Sequence, residues 1–285
     1  MTPNRNTVLL WINKVVQYKE MHSSFSPTLK VATLVDSILE KRDLKNCIFA
    51  DPDDAQEFTN VLTWRFGIPN LEYFIFSPNR AYIDKNNPQW NYWKNTTLDQ
   101  SVVDLYRSRS NTEYPQPEGV PELPSSYNLF VMQDPVGIEY NHIVDAAAYA
   151  TQSKSYTVFK RHPLALNKIV GLDSEYAIFI DASYNLNHLV EKADRVFSSW
   201  SSVSLNAMLA DKPCATYDPM IFSELVPTIK SAAELKDIPP VSRNDLGKFL
   251  TWYSTKLCIN VKEDGYEERI EKRILDHAAG SNVLV

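Results

Sequence analysis

Three segments determine the fold class of this chain: TVFKRHPLA (157–165), AIFIDAS (177–183) and ADRVFSSWSSVSLNAMLADKPCATYDP (193–219). Each contains a short apolar run with the length of a buried strand, and each run ends in polar residues rather than in a hairpin turn. Strands of this kind pair in parallel, and their carboxyl ends carry the functional groups of an open α/β sheet. The predicted strands are 156–159, 177–180 and 195–197.

The third segment passes from a strand into a serine cluster and then into a helix. Ser198, Ser199, Ser201 and Ser202 precede an apolar pattern of helical spacing. Ser201 and Ser202 are therefore predicted to cap the N-terminus of that helix. Free backbone N–H groups and the positive end of a helix dipole suit a phosphate. We expect Ser199, Ser201 and Ser202 to bind the phosphate of a nucleotide.

A second polar cluster, Lys160-Arg161-His162-Pro163, follows the first predicted strand. An imidazole N–H can donate to a phosphoryl oxygen, and the flanking cations favour a charged ligand. The alternative is a structural histidine, which is the commoner role for a lone one. Because the serine cluster lies one βαβ unit later, both clusters can converge on one nucleotide.

Together the two clusters resemble a known family. The pattern K-x-H-P, followed some thirty residues later by a-D-x-V-x-x-x-x-S-S-x-x-L-x-A-x-x-x-x-K-P, resembles the bacterial capsular polysaccharide synthesis family, which includes Kdo transferases, and more loosely the bacterial sialyltransferases. The resemblance implies a GT-B fold and a CMP-activated sugar, with the CMP held by the HP and Ser-Ser motifs. By position, Lys160, His162 and Pro163 match the first motif, and Ser201 with Ser202 matches the second.

The resemblance covers roughly residues 128–227 and includes a candidate reaction centre. The family has a Gln followed closely by an Asp that is thought to act there; Gln133 matches, Asp134 is directly adjacent, and Glu139 is the next carboxylate. A carboxylate can take the proton from an acceptor hydroxyl, so Asp134 and Glu139 are predicted to be catalytic. The Asp-Pro pair is also ordinary turn chemistry. Asn206 stands where many GT-B enzymes carry a Glu that binds the donor ribose.

Length and composition agree with a two-domain globular protein. The chain has 285 residues, 22% charged and 44% hydrophobic residues, a net charge of −6 and a pI near 5.5. The acidic total argues against a broad nucleic-acid-binding surface. No apolar run approaches the ~20 residues of a membrane-spanning helix, and the N-terminus lacks the cleavage site of a signal peptide.

The cysteine and glycine content indicates the cellular environment of the protein and the kind of phosphate site that it lacks. The three cysteines are scattered and show no C-x-x-C spacing, which indicates a reducing cytoplasm rather than a disulfide framework or a zinc site. Only seven glycines are present, and no Gly-rich phosphate loop occurs. The acidic DPDD cluster at 51–54 could mimic a metal-binding D-x-D motif, but positive groups and a helix N-terminus can neutralise a leaving phosphate without a metal. We expect no metal and no cofactor.

The N-terminal half shows a β-α-β-α-β rhythm, which predicts parallel strands. An acidic DPDD cluster that begins at Asp51 follows the second strand. Its functional interpretation is an acceptor-orienting or base carboxylate, and the alternative is a helix N-cap. The predicted elements are strand 7–12, helix 29–39, strand 47–50, helix 55–66 and strand 72–76.

A loop over residues 77–95 is rich in Asn, Pro and aromatic residues. Long loops in compact domains are usually functional or disordered. Arg80, Tyr82 and Trp90 are therefore candidates for binding an acceptor, with the aromatic rings stacking on a sugar or base. The alternative, which extends to the neighbouring Trp93, is that the aromatic rings pack the loop onto its own domain.

A linker at residues 108–126 carries four prolines and predicts the domain boundary. The predicted domains are an acceptor-side α/β domain (1–124), a nucleotide-sugar-binding α/β domain (125–262) and a C-terminal helix (263–285) that crosses back to the first domain. Further helices are predicted at 98–107, 140–151, 244–256 and 264–277.

The sequence thus predicts an α/β, GT-B-like protein with two Rossmann-like domains facing a cleft. Its predicted function is transfer of a sugar from a nucleotide-sugar donor, preferably CMP-Kdo, to a saccharide acceptor. One alternative is a phage-type glycosyltransferase that modifies a hydroxymethylated base in DNA, which would need base extrusion and a positive groove. The other alternative is a non-catalytic protein that binds sugar nucleotides.

Overall fold

A computed structural model describes residues 9–12, 26–42, 61–66, 73–78, 93–110, 122–133, 138–162, 171–181, 183–220 and 222–278. The chain folds into two compact units. Unit 1 consists of Met1–Val102 and Lys248–Val285, and unit 2 consists of Val103–Gly247.

Strands and helices alternate along most of the chain. The first part of the chain contains β1 (Leu9–Ile12), α1 (Ser26–Lys41), β2 (Val61–Phe66), β3 (Tyr73–Pro78) and α2 (Gln100–Ser110). The middle contains β4 (Asn128–Val131), α3 (Ile138–Ser153), β5 (Thr157–Lys160), β6 (Ala177–Ile180), α4 (Leu186–Lys192), β7 (Arg195–Ser198), α5 (Val203–Leu209), β8 (Cys214–Thr216) and a 3₁₀ helix (Ala232–Asp237). The last part contains α6 (Arg243–Trp252), a π-helical turn (Tyr253–Leu257), β9 (Cys258–Asn260) and α7 (Tyr266–Ala278).

Unit 2 is built on a five-stranded sheet in the order β6-β5-β4-β7-β8, in which every pair is parallel. The register places Val131 of β4 opposite Lys160 on one side and opposite Ser198 on the other. Because parallel strands point the same way, the polar residues that follow these three strands emerge at one edge of the sheet. The chain order reverses between β4 and β7, and such a switch point is where open α/β sheets bind ligands.

Aromatic rings form the centre of the unit 2 core. The ring of Phe130 lies 5.4 Å from that of Phe159 and 5.0 Å from that of Phe197, on three adjacent strands. Helix α3 covers these rings with the small side chains of Ala146 and Ala150, both completely buried. The three strands β4, β5 and β7 are almost entirely buried, which explains why their sequences are apolar runs without alternation.

Unit 1 contains a mixed sheet in the order β1-β2-β3-β9. Strands β1 and β2 are parallel, whereas β3 is antiparallel to both β2 and β9. The prediction of parallel strands throughout this half is therefore wrong for β3. The predicted helix 55–66 is also wrong over β2, whose sequence VLTWRF is rich in the β-branched and aromatic residues that favour strands.

The boundaries of the compact units differ from the predicted domain limits. The chain passes from unit 1 to unit 2 within α2, after Val102, and returns within α6, after Gly247. The sequence predicts these limits at 124/125 and 262/263. Most of the Pro-rich segment 108–126 lies outside the described residues, so its role as a linker stays a prediction. The predicted strand 47–50 also lies outside them.

None of the helices in the described part of the chain combines the length and the apolar character needed to span a bilayer.

Candidate functional site

A pocket of about 820 Å³ lies at the carboxyl edge of the unit 2 sheet. Its lining comes from the ends of β4 and β5, from the loop that follows β7, and from the first residues of α4 and α5. Its volume is within the range of small-molecule binding sites. Its lining includes Gln133, Lys160, Arg161, His162, Tyr184, Asn185, Asn187, Trp200, Ser201, Ser202 and Asn206.

Lys160, Arg161 and His162, at the end of β5 and just after it, line this pocket. Nucleotide binding by Lys160 and His162 stays a prediction. Lys160 is only 4% exposed, and this burial lowers the pKa of its ammonium group, while Asp181 acts in the opposite direction. A buried ammonium group gains most from an anionic partner, because the partner replaces the lost hydration. The ammonium group also donates to the backbone oxygen of Arg161 (3.3 Å), and its positive charge at the pocket favours a negatively charged ligand.

Ser201 supplies a hydrogen-bond donor to the same pocket. Its Oγ accepts from the side-chain amide Nε2 of Gln133 (2.9 Å) and from the backbone N–H of Val203 (3.3 Å). A hydroxyl group has two acceptor sites and one donor. With both acceptor sites occupied, the O–H of Ser201 is left to donate, and the residue is 9% exposed toward the pocket.

Ser202 occupies the N-cap position of α5, but its side chain makes no capping hydrogen bond. The prediction that its hydroxyl caps the helix is therefore wrong, since the φ and ψ of Ser202 (−62° and −11°) are already helical and do not suit a capping side chain. Ser202 is one of the residues that line the pocket. The helix has seven residues, so the side chains, rather than its dipole, dominate the chemistry of this site.

Ser199 lies behind the pocket and does not belong to its lining. It is completely buried, and its Oγ lies 3.0 Å from Nδ1 of His142 in α3. The imidazole of His142 stacks on the ring of Tyr217, with centroids 4.3 Å apart and planes at 7°. Direct contact of Ser199 with a nucleotide stays a prediction, and the observed geometry gives Ser199 a role in anchoring the serine loop.

This arrangement continues into a partly buried network formed by His142, Asp145, Ser199, Tyr217 and Ser231. The carboxylate of Asp145 accepts from the hydroxyl of Tyr217 (2.6 Å), from that of Ser231 (3.1 Å) and from the backbone N–H of Ala232 (2.7 Å). Burial raises the pKa of the Tyr217 phenol, and the bond to Asp145 raises it further. Burial lowers the pKa of His142, against the opposing effects of Asp218 and Asp145.

Glu139 lies at the start of α3 and is completely buried. Its Oε1 accepts the backbone N–H of Gln133 at 2.8 Å. This bond fixes the residue whose amide holds Ser201. The catalytic role of Glu139 stays a prediction, and the observed contact gives it a positioning role for Gln133.

Sequence reasoning missed several residues of the pocket wall. Asn185 caps α4 by accepting the backbone N–H groups of Asn187 (2.9 Å) and His188 (3.3 Å). Trp200 lies inside the serine cluster and is 42% exposed. The sequence shows that Trp200 lies between Ser199 and Ser201. No local sequence pattern connects Asn185 and Asn187 to the K-x-H-P and Ser-Ser motifs.

Other predicted site residues fall outside the described part of the chain: Asp51, Arg80, Tyr82, Trp90, Asp134 and Pro163. Their roles stay predictions. Trp93, in the same loop as Trp90, is 3% exposed and packs edge-on against Phe249 at 6.1 Å, which supports the packing alternative for this one ring. Within the described ranges, no group of three or more His, Cys, Asp or Glu residues is arranged to hold a metal ion.

The chain resembles known proteins in structure rather than in overall sequence. No protein-family model matches the chain, and no curated protein matches it significantly in sequence. In structure, the chain is similar to the β-Kdo 2,7 transferase of Thermosulfurimonas dismutans KpsC, with 13% identity, a TM-score of 0.53 and coverage of 85% of this chain and 96% of the other.

Two further solved structures match over shorter stretches. The β-Kdo 2,4 transferase of the same KpsC has 15% identity, a TM-score of 0.42 and coverage of 70% of this chain and 73% of the other. The UDP-GlcNAc 2-epimerase of Methanocaldococcus jannaschii has 10% identity, a TM-score of 0.32 and coverage of 60% and 52%. The match to the 2,7 transferase confirms the predicted α/β, GT-B-like fold class, and the motif resemblance to Kdo transferases extends to the fold.

Proposed function

We propose that this protein is a glycosyltransferase that moves a sugar from a CMP-activated acidic donor, such as CMP-Kdo, to a hydroxyl of a saccharide. The observation that carries the proposal is the convergence of Lys160, His162 and Ser201 on one pocket at the switch point of a parallel sheet. These groups supply a buried cation, a ring N–H and an O–H donor for the phosphate. The choice of CMP and of Kdo rests on the motif resemblance and on the fold shared with a Kdo transferase.

The pocket chemistry matches what glycosyl transfer from a nucleotide donor requires. When the bond between the anomeric carbon and the phosphate oxygen breaks, the electron pair leaves with the nucleotide and the phosphate gains negative charge. Fixed cations and hydrogen-bond donors stabilise that charge without a metal ion. We expect transfer to persist in excess EDTA.

The acceptor hydroxyl must lose its proton during the transfer, and we propose Asp134 as the base. Asp134 directly follows Gln133, which lines the pocket, whereas Glu139 is completely buried. A base must come within hydrogen-bond reach of the proton it removes.

We also propose a cytoplasmic location for the protein, because its cysteines are scattered along the sequence. Cys214 and Cys258 are both free thiols.

The proposal is tested by thermal shift and by transfer. CMP, UDP, GDP and their sugars are screened first, because a ligand that binds only the native state stabilises it by about 2.7 kcal/mol at a hundredfold excess over Kd. We expect the cytidine nucleotides to give the largest rise in Tm.

Transfer is then measured as the release of CMP from CMP-Kdo with a panel of saccharide acceptors. Asp134→Asn should slow this release by about 10²- to 10⁴-fold. Stabilisation by CMP without transfer would indicate a non-catalytic binding protein, and stabilisation by none of the nucleotides would contradict the proposal.

A further inference from the structure

A second pocket, of about 400 Å³, lies in unit 2 between helices α4 and α5. It adjoins the nucleotide pocket, and the two share Asn187 and Asn206, which line both. The side-chain Nδ2 of Asn206 donates to Oδ1 of Asn187 at 2.8 Å, so the amide pair forms a wall between the two pockets. The second pocket continues along the two helices from this wall.

Two basic residues give the second pocket a positive side. Arg107 of α2 and Lys212, just after α5, both line it. Asp211, next to Lys212 in the chain, is held by Arg243, whose Nε donates to it at 2.8 Å. This bond lowers the pKa of Asp211, and Arg107 adds a smaller effect in the same direction. Asp211 is thus paired mainly with Arg243, and within the lining Arg107 and Lys212 outnumber the carboxylate of Glu191, so the pocket carries a net positive charge.

The rest of the lining suits a polyhydroxylated ligand. Glu191 supplies a carboxylate, and the Asn187–Asn206 pair supplies amide groups, which together can accept from and donate to hydroxyl groups. Leu209, which is 9% exposed, provides a small apolar surface for the C–H face of a sugar ring. The volume is at the lower end of the range for small-molecule sites.

We propose that this second pocket binds a monosaccharide-sized polyol that carries one anionic group, a carboxylate or a phosphate. Arg107 and Lys212 bind the anionic group, Glu191 and the two asparagines bind the hydroxyls, and Leu209 contacts the ring. This site is separate from the nucleotide pocket, and its existence does not rest on the proposed glycosyl transfer.

The test is a calorimetric titration of the full chain with four probes. Glucuronate carries a carboxylate, glucose 6-phosphate carries a phosphate, glucose carries no charge, and inorganic phosphate carries no hydroxylated ring. We expect one or both anionic sugars to bind about tenfold or more tightly than glucose and than inorganic phosphate. Which of the two binds more tightly identifies the anionic group.

Substitutions of two residues that line the second pocket show whether the sugar binds there. Lys212→Met keeps the aliphatic stem and removes the charge, and it should weaken binding of the anionic sugar about tenfold. Arg107→Gln should do the same. Lys192→Met is the matched control, because Lys192 is exposed, follows Glu191 directly and does not line the pocket. Its binding should equal that of the natural protein.

His162→Ala separates this site from the nucleotide pocket. It should leave sugar binding unchanged, even if it abolishes CMP binding. The proposal is overturned if neither anionic sugar binds at millimolar concentration, if glucose binds equally well, if Lys212→Met binds like the natural protein, or if His162→Ala removes the binding.

Discussion

The loop between β7 and α5 contributes to two polar clusters in unit 2, the pocket and the partly buried network behind it. Ser199 belongs to the partly buried network, where its hydroxyl contacts His142. Ser201, two residues later, belongs to the pocket, where its oxygen accepts twice and its proton remains to donate. A polar group whose partners are all inside the protein stabilises the fold, because leaving it unpaired in the interior would be costly. A polar group with a donor left over at a pocket can bind a ligand instead.

This difference between two serines explains how one short segment serves both stability and function. The network holds the serine loop from behind through His142, and Gln133 holds it from the side. Binding sites need such support, because side chains that are already fixed lose less entropy when the ligand arrives. Substitutions in the network should therefore change stability first, and substitutions in the pocket should change affinity first.

The largest effect is expected for Asp145→Ala. It removes one charged acceptor from three donors, Tyr217, Ser231 and the N–H of Ala232. We expect a loss of about 2–4 kcal/mol in the free energy of unfolding. Asp145→Asn, which keeps one oxygen acceptor, should lose less. Urea denaturation measures both, and equal stability of Asp145→Ala and the natural protein would show that the network does not hold the fold.

His162→Ala should weaken CMP binding and leave the melting temperature nearly unchanged. The loss of one charge-assisted hydrogen bond is worth about 1.5–3 kcal/mol, or about ten- to 150-fold in Kd. His188→Ala is the matched control, because His188 is exposed on α4 and does not line the pocket. Isothermal titration compares the two variants. If both bind CMP equally well, His162 has no role in the site.

The two serines of the pocket should separate stability from affinity. Ser201→Ala removes the acceptor for Gln133 and Val203, and it should cost about 1–2 kcal/mol of stability as well as CMP affinity. Ser202→Ala removes no capping bond, so its stability should change by less than about 0.5 kcal/mol while its affinity still falls. Thermal melts and CMP titrations of both variants test this. A large destabilisation by Ser202→Ala would mean that its hydroxyl has an internal partner.

The smallest effect concerns the pH dependence of stability. Burial holds the pKa of His142 below its ordinary value of 6.5 in the folded protein. Between the folded pKa and 6.5, the unfolded chain binds more protons, so the contribution of His142 to stability falls as the pH falls through this window. The charged groups that face it, Asp218 at 4.0 Å and Asp145, reduce the shift.

His142→Gln should make the decline shallower. The difference in unfolding free energy between the natural protein and this variant should shrink as the pH falls below 6.5, toward the lowered pKa of His142 in the folded protein. Denaturation series at several pH values measure this difference. A difference that is independent of pH would show that His142 does not titrate with folding.

The fold of unit 2 could be predicted from the sequence because its strands are short, apolar and bounded by polar residues. Predicted strands 177–180 and 195–197 agree with β6 and β7 within a residue, and 156–159 is shifted by one from β5. In unit 1 the segment 61–66 is predicted as helix but forms a strand. The spacing of its apolar residues fits both the helical period and the strand period, and its pairing with β3 depends on the tertiary structure. β9 pairs with β3 over a long sequence separation, and no local pattern could show this.

The candidate site was predictable only where its residues lie in contiguous motifs. Lys160 and His162 lie at the predicted edge together with Ser201, because parallel strands bring their carboxyl ends together. The hydrogen bond from Gln133 to Ser201 connects residues that are 68 positions apart, and the role of His142 behind Ser199 depends on packing of α3. Such contacts follow from the fold and from no local sequence pattern.

Hydrogen exchange with and without CMP tests the location of the nucleotide most directly. If CMP binds at the carboxyl edge of the unit 2 sheet, the backbone amides of residues 131–133, 160–162 and 199–203 should exchange more slowly in its presence, while those of β1 to β3 keep their rates. His162→Ala should abolish this protection at the same CMP concentration, and His188→Ala should keep it. Protection confined to unit 1, or no protection at saturating CMP, would contradict a nucleotide site at this edge.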